Sequence, residues 1–463
     1  MKHRPHIAVV GGGVTGLAAA HALIESGEAR VTLLESGERL GGKVRSERLA
    51  GATIDVGAES LMTRDPAAVE LCGELGIGGE LVAPRATGTA VWARGALREL
   101  PGNVLSGLPG GVAPMLRAGI LSPPGVARAA LDLVLPATRL EGDGSVGELV
   151  RRRLGSQALD RLVDPLLGTI YAADSEELSL RATAPQLERL AREHRSLIRG
   201  LLAARPAPRS GPLFLGLPGG LERIVARLAE RLEGADLRRG AEARRLGRAE
   251  DGRYLLEGRG FAPFPVDGAV IATPAGPAAR LLAATAPGAA GLLRTVRYSS
   301  AVVVTLRYAP GALPAAGEAG FFVPRGERHL LGACTNLSAK WAHLAEGGAT
   351  WLRCSVGRRG VPRALQTGDA ELVELVAAEL REALGPRGEP NASHVARWEA
   401  ALPVYEPGHL GRVERIEREL RGLPGVELAG AAYRGIGVPQ CVAQGRVAAE
   451  RALAACIAEP APA

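Results

Sequence analysis

Ile7-Ala8-Val9-Val10-Gly11-Gly12-Gly13-Val14-Thr15-Gly16 is the stretch whose reading decides the fold of this chain. Four unbroken apolar residues read as a buried strand, and Leu17, Ala20 and Ile24 then recur at helical spacing. Between them Gly11, Gly13 and Gly16 form GxGxxG. The first glycine permits a tight turn, the second lets backbone approach a pyrophosphate, and the third lets helix pack closely on strand. A second apolar run, Val31-Thr32-Leu33-Leu34, ends on Glu35 and completes a βαβ unit. The acid is placed to accept a ribose hydroxyl and disfavours a phosphorylated ribose, so FAD or NAD is expected ahead of NADP. The dinucleotide contacts expected from this unit are Gly11, Gly12, Gly13, Val14, Thr15, Gly16, Glu35 and Ser36.

Working outward, Arg39-Leu40-Gly41-Gly42-Lys43 follows at once and places positive charge and bare backbone beside a diphosphate. The text from Glu35 to Arg45, with Gly57-Ala58-Glu59-Ser60 after it, resembles the second glycine motif of flavoproteins related to amine oxidases and phytoene desaturases. That resemblance favours FAD over NAD. At the far end, Val426 to Ala429 reads as a strand, Gly430 to Gly437 as a turn, and Pro439 to Ala455 as a helix. Gly437, Val438 and Pro439 would aim that helix's N-terminal amides and dipole at the flavin. Pro at a first turn is also explained by capping alone, and Cys441 reads as a packed cysteine.

Composition bounds the rest. The 463 residues suffice for two or three domains around a large cofactor, and 46% hydrophobic with 23% charged residues describe a globular protein. The net charge of +7 is spread along the chain without a basic tail, so nucleic acid is not expected as a partner, and an anionic small molecule is. Lys2, Lys43 and Lys340 are the lysines; the remaining cations are arginines, suited to clamping carboxylates. The five cysteines lack paired spacing, and the histidines lack ligand spacing, so neither disulfide nor metal is expected. A short polar start and no apolar run near the roughly 20 residues of a bilayer span point to the cytoplasm, with membrane contact at most peripheral. Asn391-Ala392-Ser393 is set aside as a glycosylation site on the same ground, and no GxSxG elbow supports hydrolysis.

Between the ends the texture changes. Gly102 to Pro136 is punctuated by Pro and Gly, Val146 to Arg205 is helical in pattern, and Arg205-Pro206-Ala207-Pro208 breaks it. Gly219-Gly220 opens an amphipathic helix to about Leu232. Strand-like runs at Ser300 to Tyr308, Phe321 to Pro324, His329 to Cys334 and Trp351 to Val356 predict an antiparallel sheet, before a helix around Asp369 to Leu384.

Together the motifs resemble the porphyrinogen oxidases of haem biosynthesis from Ile7 to about Ala455. The middle matches at Leu167-Gly168-Thr169-Ile170-Tyr171-Ala172-Ala173-Asp174 and Glu177 to Leu180, the end at Gly430-Ala431-Ala432-Tyr433-Arg434-Gly435-Ile436-Gly437. Cys334 to Trp341 and Val438 to Gly445 resemble the coproporphyrinogen branch, and Thr89 stands where the protoporphyrinogen branch carries an arginine. Thr169 and Ala173 depart from the family's glycines.

The resemblance implies an α/β fold: a Rossmann-like FAD-binding domain (1–85, 206–277 and 425–463), an interleaved antiparallel-sheet substrate domain (86–101 and 278–424) and a mainly helical domain (102–205), as in amine-oxidase-like flavoproteins. It implies FAD-dependent six-electron oxidation of coproporphyrinogen III to coproporphyrin III with O2 as acceptor, giving H2O2; protoporphyrinogen IX oxidation and flavin amine oxidation are the alternatives. An amine oxidase would need an aromatic cage, for which Trp398, Tyr405 and Tyr433 are candidates in a chain only 3% aromatic. A pigment-carrying chaperone is the non-enzymatic alternative. Ala243 joins the expected cofactor contacts. Thr169, Ile170 and Tyr171 are expected on the substrate face, with Arg94 or Lys340 as propionate partners and no catalytic acid or base. Contact with a ferrochelatase is a further expected partnership.

Overall fold

A computed structural model describes residues 4–101, 104–138, 140–204, 211–313, 319–327, 329–357 and 363–458. The Pro-rich Arg205 to Pro208 lies outside them.

The opening motif builds what its pattern predicts. The strand His6–Val10 is wholly buried, and the helix Val14–Ser26 follows after Gly13. A parallel sheet forms around it in the order Asp236–Arg238, Arg30–Leu34, His6–Val10, Gly268–Ile271, Val426–Leu428. One face is covered by Val14–Ser26, Glu222–Arg231 and the C-terminal helix Val438–Ala458, whose small residues let them approach closely. A Cβ on Gly445 would strike the Thr15 carbonyl, so the first and last helices of the chain can touch only because that position is glycine. The other face is covered by the meander Glu242–Arg248, Tyr254–Arg259, Phe264–Val266 and the helices Ala275–Leu281, Pro287–Arg294 and His409–Leu420.

A seven-stranded sheet stands beside this unit, in the order Ala392–Pro403, Tyr298–Tyr308, Thr350–Val356, Leu331–Asn336, Gly320–Phe322, Thr89–Ala93, Ala96–Glu99. It corrects the antiparallel expectation at one seam, because Gly320–Phe322 pairs in parallel with Thr89–Ala93. The reason is topological: Thr89–Ala93 belongs to an early excursion of the chain and docks on an edge built much later. The helix Asp369–Leu384 packs its apolar stripe, Leu372, Val376 and Leu380, on this sheet. Cys334 and Cys354, distant in sequence, face each other across paired strands; all five cysteines are free and buried.

A third core, between about 105 and 201, is made of short helices. The Arg153 guanidinium at its centre bonds Asp132, while Ser196 and the Ile198 amide bond the other Asp132 oxygen. Both charges are buried, and each carries further hydrogen bonds, the arrangement a buried ion pair needs. No helix among the described residues is long and apolar enough to cross a membrane.

Candidate active site

The glycine turn is shaped by what surrounds it. Gly11 has φ +108, and a Cβ there would lie 2.8 Å from the Ala272 carbonyl oxygen, while one on Gly16 would run into the Gly11 carbonyl. Gly13 has nothing within 4 Å of its would-be Cβ, so bare backbone faces open space at the helix N-terminus. That space is a cavity of about 370 Å³ running from Leu34 and Glu35, past Gly41 to Val44 and Ala58, to Gly430, Ile436 and Cys441. The Glu35 carboxylate sits at one end and accepts the Gly12 and Gly37 amides, each at 2.7 Å. These bonds fix its direction and leave lone pairs for a ribose diol.

The cavity brings together Gly11, Gly13, Val14, Thr15, Glu35, Ser36, Gly41, Gly42, Lys43, Ala58, Ala243, Gly430 and Val438. Gly12, Gly16, Arg39, Gly57, Glu59, Ser60, Gly437 and Pro439 stand outside its lining. Each has a structural place of its own. Arg39 donates to the carbonyls of Leu40 and Gly42 and pairs with Glu222, because a loop with unpaired carbonyls needs donors. Gly57 lies against the Lys43 carbonyl, where any side chain would collide. Gly437 precedes the last helix and accepts the Cys441 amide, with Pro439 buried in the first turn. Ser60 only precedes the short strand Leu61–Met62.

Glu59 and Lys340, expected at cofactor and substrate respectively, are joined to each other. The Lys340 ammonium donates to both Glu59 oxygens at 3.0 and 3.2 Å, and the Trp341 indole donates to one at 2.6 Å. Burial alone would raise the Glu59 pKa, but Lys340, Arg353 and these hydrogen bonds hold it below the usual carboxylate range. The same loop is held at Val56 by the Trp398 indole, 2.8 Å, and at Gly57 by the Arg353 guanidinium, 2.8 Å. Trp398 therefore fastens the loop at Val56.

Lys43 behaves differently. Its ammonium lines the cavity with no hydrogen-bond or ion-pair partner among the described residues. Burial lowers its pKa, against a smaller opposing effect of the Cys441 thiol, whose own pKa is raised by burial.

Thr169, Ile170 and Tyr171 end the helix Asp164–Tyr171, and none lines the cavity. The Thr169 hydroxyl returns to the Pro165 carbonyl of its own helix at 2.7 Å, Ile170 is 45% exposed, and Tyr171 is packed inward. Tyr171 touches the cavity wall at one remove: Ser299 bonds its carbonyl, and the neighbouring Tyr298 lines the cavity. Ala172 takes a left-handed φ of +48 to end the helix, a conformation that favours glycine. Arg94 lies at an exposed hairpin tip, its guanidinium 3.4 Å from the Gly119 carbonyl, and shares no site with Lys340.

The sequence reading missed Ala272, Thr273, Pro274, Arg280 and Tyr298, all of which line the cavity. Ala272 to Pro274 leave the carboxyl end of a central parallel strand, where such sheets bind ligands, so that signal was present. Among the described residues, no group of three or more His, Cys, Asp or Glu could hold a metal ion.

A glycine-lined cavity with the Glu35 carboxylate and the Lys43 and Arg280 cations in its lining, and two helix N-termini at its wall, fits a flavin dinucleotide. The sequence profile described as flavin containing amine oxidoreductase matches residues 14–453, and the chain belongs to that family. It is an FAD-dependent oxidoreductase with the amine-oxidase-like flavoprotein fold. Within the family its relatives include porphyrinogen oxidases. The coproporphyrinogen III oxidase of Bacillus subtilis is 32% identical over 97% of this chain and 98% of its own. The protoporphyrinogen oxidase of Bos taurus is 30% identical over 96% and 98%. A crystal structure from Exiguobacterium sp. 255-15, described provisionally as a protoporphyrinogen oxidase, superposes with a TM-score of 0.87 at 33% identity, covering 98% of this chain and 99% of its own.

Proposed function

We propose that this protein oxidises coproporphyrinogen III to coproporphyrin III in haem biosynthesis, with O2 as the terminal acceptor and H2O2 as its product. The observation that carries the reading is end-to-end similarity to coproporphyrinogen III oxidases, joined to a cavity whose chemistry suits FAD. Bound there, FAD supplies the hydride-accepting centre.

The chain's residues supply position and field. Glu35 holds the ribose, and bare backbone at Gly11, Gly13, Gly41 and Gly42 admits the diphosphate. The N-termini of Val14–Ser26 and Val438–Ala458 and the Lys43 ammonium favour negative charge. Gly12, Gly16, Arg39, Gly57, Glu59, Ser60, Gly437 and Pro439 act through the loops they shape. Thr169, Ile170 and Tyr171 form part of the substrate side, where Ile170 offers an apolar face to the macrocycle. No side chain is assigned as acid or base. Peripheral contact with the membrane, contact with a ferrochelatase and a cytoplasmic location belong to the same proposal.

The second reading, protoporphyrinogen IX oxidation, is supported by the full-length similarity to the bovine enzyme. Flavin amine oxidation draws less support, because the Trp398 indole bonds Val56 and Tyr405 is only 1% exposed. Anaerobic mixing of holoenzyme with coproporphyrinogen III should bleach the flavin absorbance, and admitted oxygen should restore it with release of peroxide. An unbleached flavin contradicts the proposal, as does recovery that yields no peroxide.

A further inference from the structure

We propose that Tyr405 is a positioning residue that pre-sets the cofactor-facing loop 430–437 and ties it to the substrate side of the molecule. The inference rests on FAD occupying the cavity and is independent of which porphyrinogen is oxidised.

The Tyr405 hydroxyl closes two bonds across that loop, donating to the Ala431 carbonyl at 2.7 Å and accepting the Gly435 amide at 2.8 Å. Gly430, Ala431, Ala432 and Ile436 of this loop line the cavity, and Gly430 and Gly435 have φ +124 and +121. Such a loop has no regular backbone ladder of its own, so the bridging hydroxyl substitutes for one. The ring is fixed on two sides. His409 stacks on it at 4.0 Å and 14°, and Tyr171 leans on it with centroids 6.0 Å apart. The Tyr405 carbonyl accepts the Ser179 amide at 2.6 Å, which anchors the backbone to the helical layer. One side chain thus connects Tyr171, at the end of the segment assigned to the substrate face, with the wall of the cofactor cavity. Its ring is held by packing, and among the described residues its hydroxyl has no further hydrogen-bond partner.

Two measurements test this. In the wild-type protein stripped of FAD, hydrogen exchange at the Gly435 amide should remain as protected as in the holoenzyme, since Tyr405 and not the flavin supplies its acceptor. Loss of that protection on removing FAD would overturn the proposal. Tyr405→Phe keeps the ring and deletes both bonds, and should weaken FAD binding on the order of tenfold while shifting the visible absorption of bound flavin. Tyr308→Phe removes another buried hydroxyl, one without a hydrogen-bond partner among the described residues, and should leave both readouts as in wild type. Wild-type FAD affinity and spectrum in Tyr405→Phe would contradict the role, as would equal losses in the two variants.

Discussion

Gly445 and Gly16 are glycines for reasons of space alone, since each places its α-carbon against a carbonyl of a neighbouring segment. Gly445→Ala should push the first and last helices apart and cost on the order of 1–3 kcal/mol, read as a lowered urea midpoint; an unchanged midpoint would mean the helices can yield. Lys43 is a matter of charge. Lys43→Met should weaken FAD binding on the order of tenfold, measured by titration of the apoprotein, with little effect on apoprotein stability. Because burial lowers the Lys43 pKa and an anionic cofactor would raise it again, FAD binding should weaken as pH rises through the lowered value. At this scale the glycine turn was legible because its requirement is local. Lys340 was not: its partner Glu59 is 281 positions away, and only the fold brings them together.

The loop after the strand Ala52–Asp55 is held by backbone bonds to Lys43 and Arg45 and by side chains from the seven-stranded sheet, Trp398 and Arg353, and from the helix end beside it, Lys340 and Trp341. At its root, Asp55 accepts the Ser46 hydroxyl at 2.6 Å and the Leu221 amide at 2.9 Å. Burial pushes its pKa up to about 7, against those two bonds, with Glu59 adding to the rise and Arg353 opposing it. A folded pKa above the unfolded value means stability that is full below the ordinary aspartate range and is lost as pH rises through about 7. Asp55→Asn keeps an acceptor oxygen and removes the titration, so unfolding free energies at pH 5 and pH 8 should differ less in the variant than in wild type, by roughly 1–4 kcal/mol. Equal pH slopes would contradict this. Element legibility followed periodicity. The helix Asp369–Leu384 has a clear apolar stripe and Gly385 in a left-handed cap, and it was read to the residue. The strand Ala392–Pro403 went unread: it is a sheet edge with both faces partly exposed, so its Ala, Arg, Trp and Glu show no alternation.

Across the whole molecule, the contacts that hold the cavity's walls come from other parts of the fold: Tyr405 to loop 430–437, Trp398 and Arg353 to the loop at Val56 and Gly57. The fold class and the cofactor could be read from the ends of the chain, because the dinucleotide site is built from turns adjacent in sequence to their strands. The grouping of Tyr171, Tyr298 and Tyr405 could not, since they are scattered along the chain and no local pattern marks them as neighbours. The central claim is oxidation of the tetracarboxylate porphyrinogen, and the direct test is porphyrin fluorescence from FAD-loaded protein given coproporphyrinogen III or protoporphyrinogen IX in parallel. A kcat/KM for coproporphyrinogen at least about tenfold higher, a difference of about 1.4 kcal/mol in transition-state stabilisation, is the predicted result. Equal or reversed preference, or no oxidation of either, would contradict it.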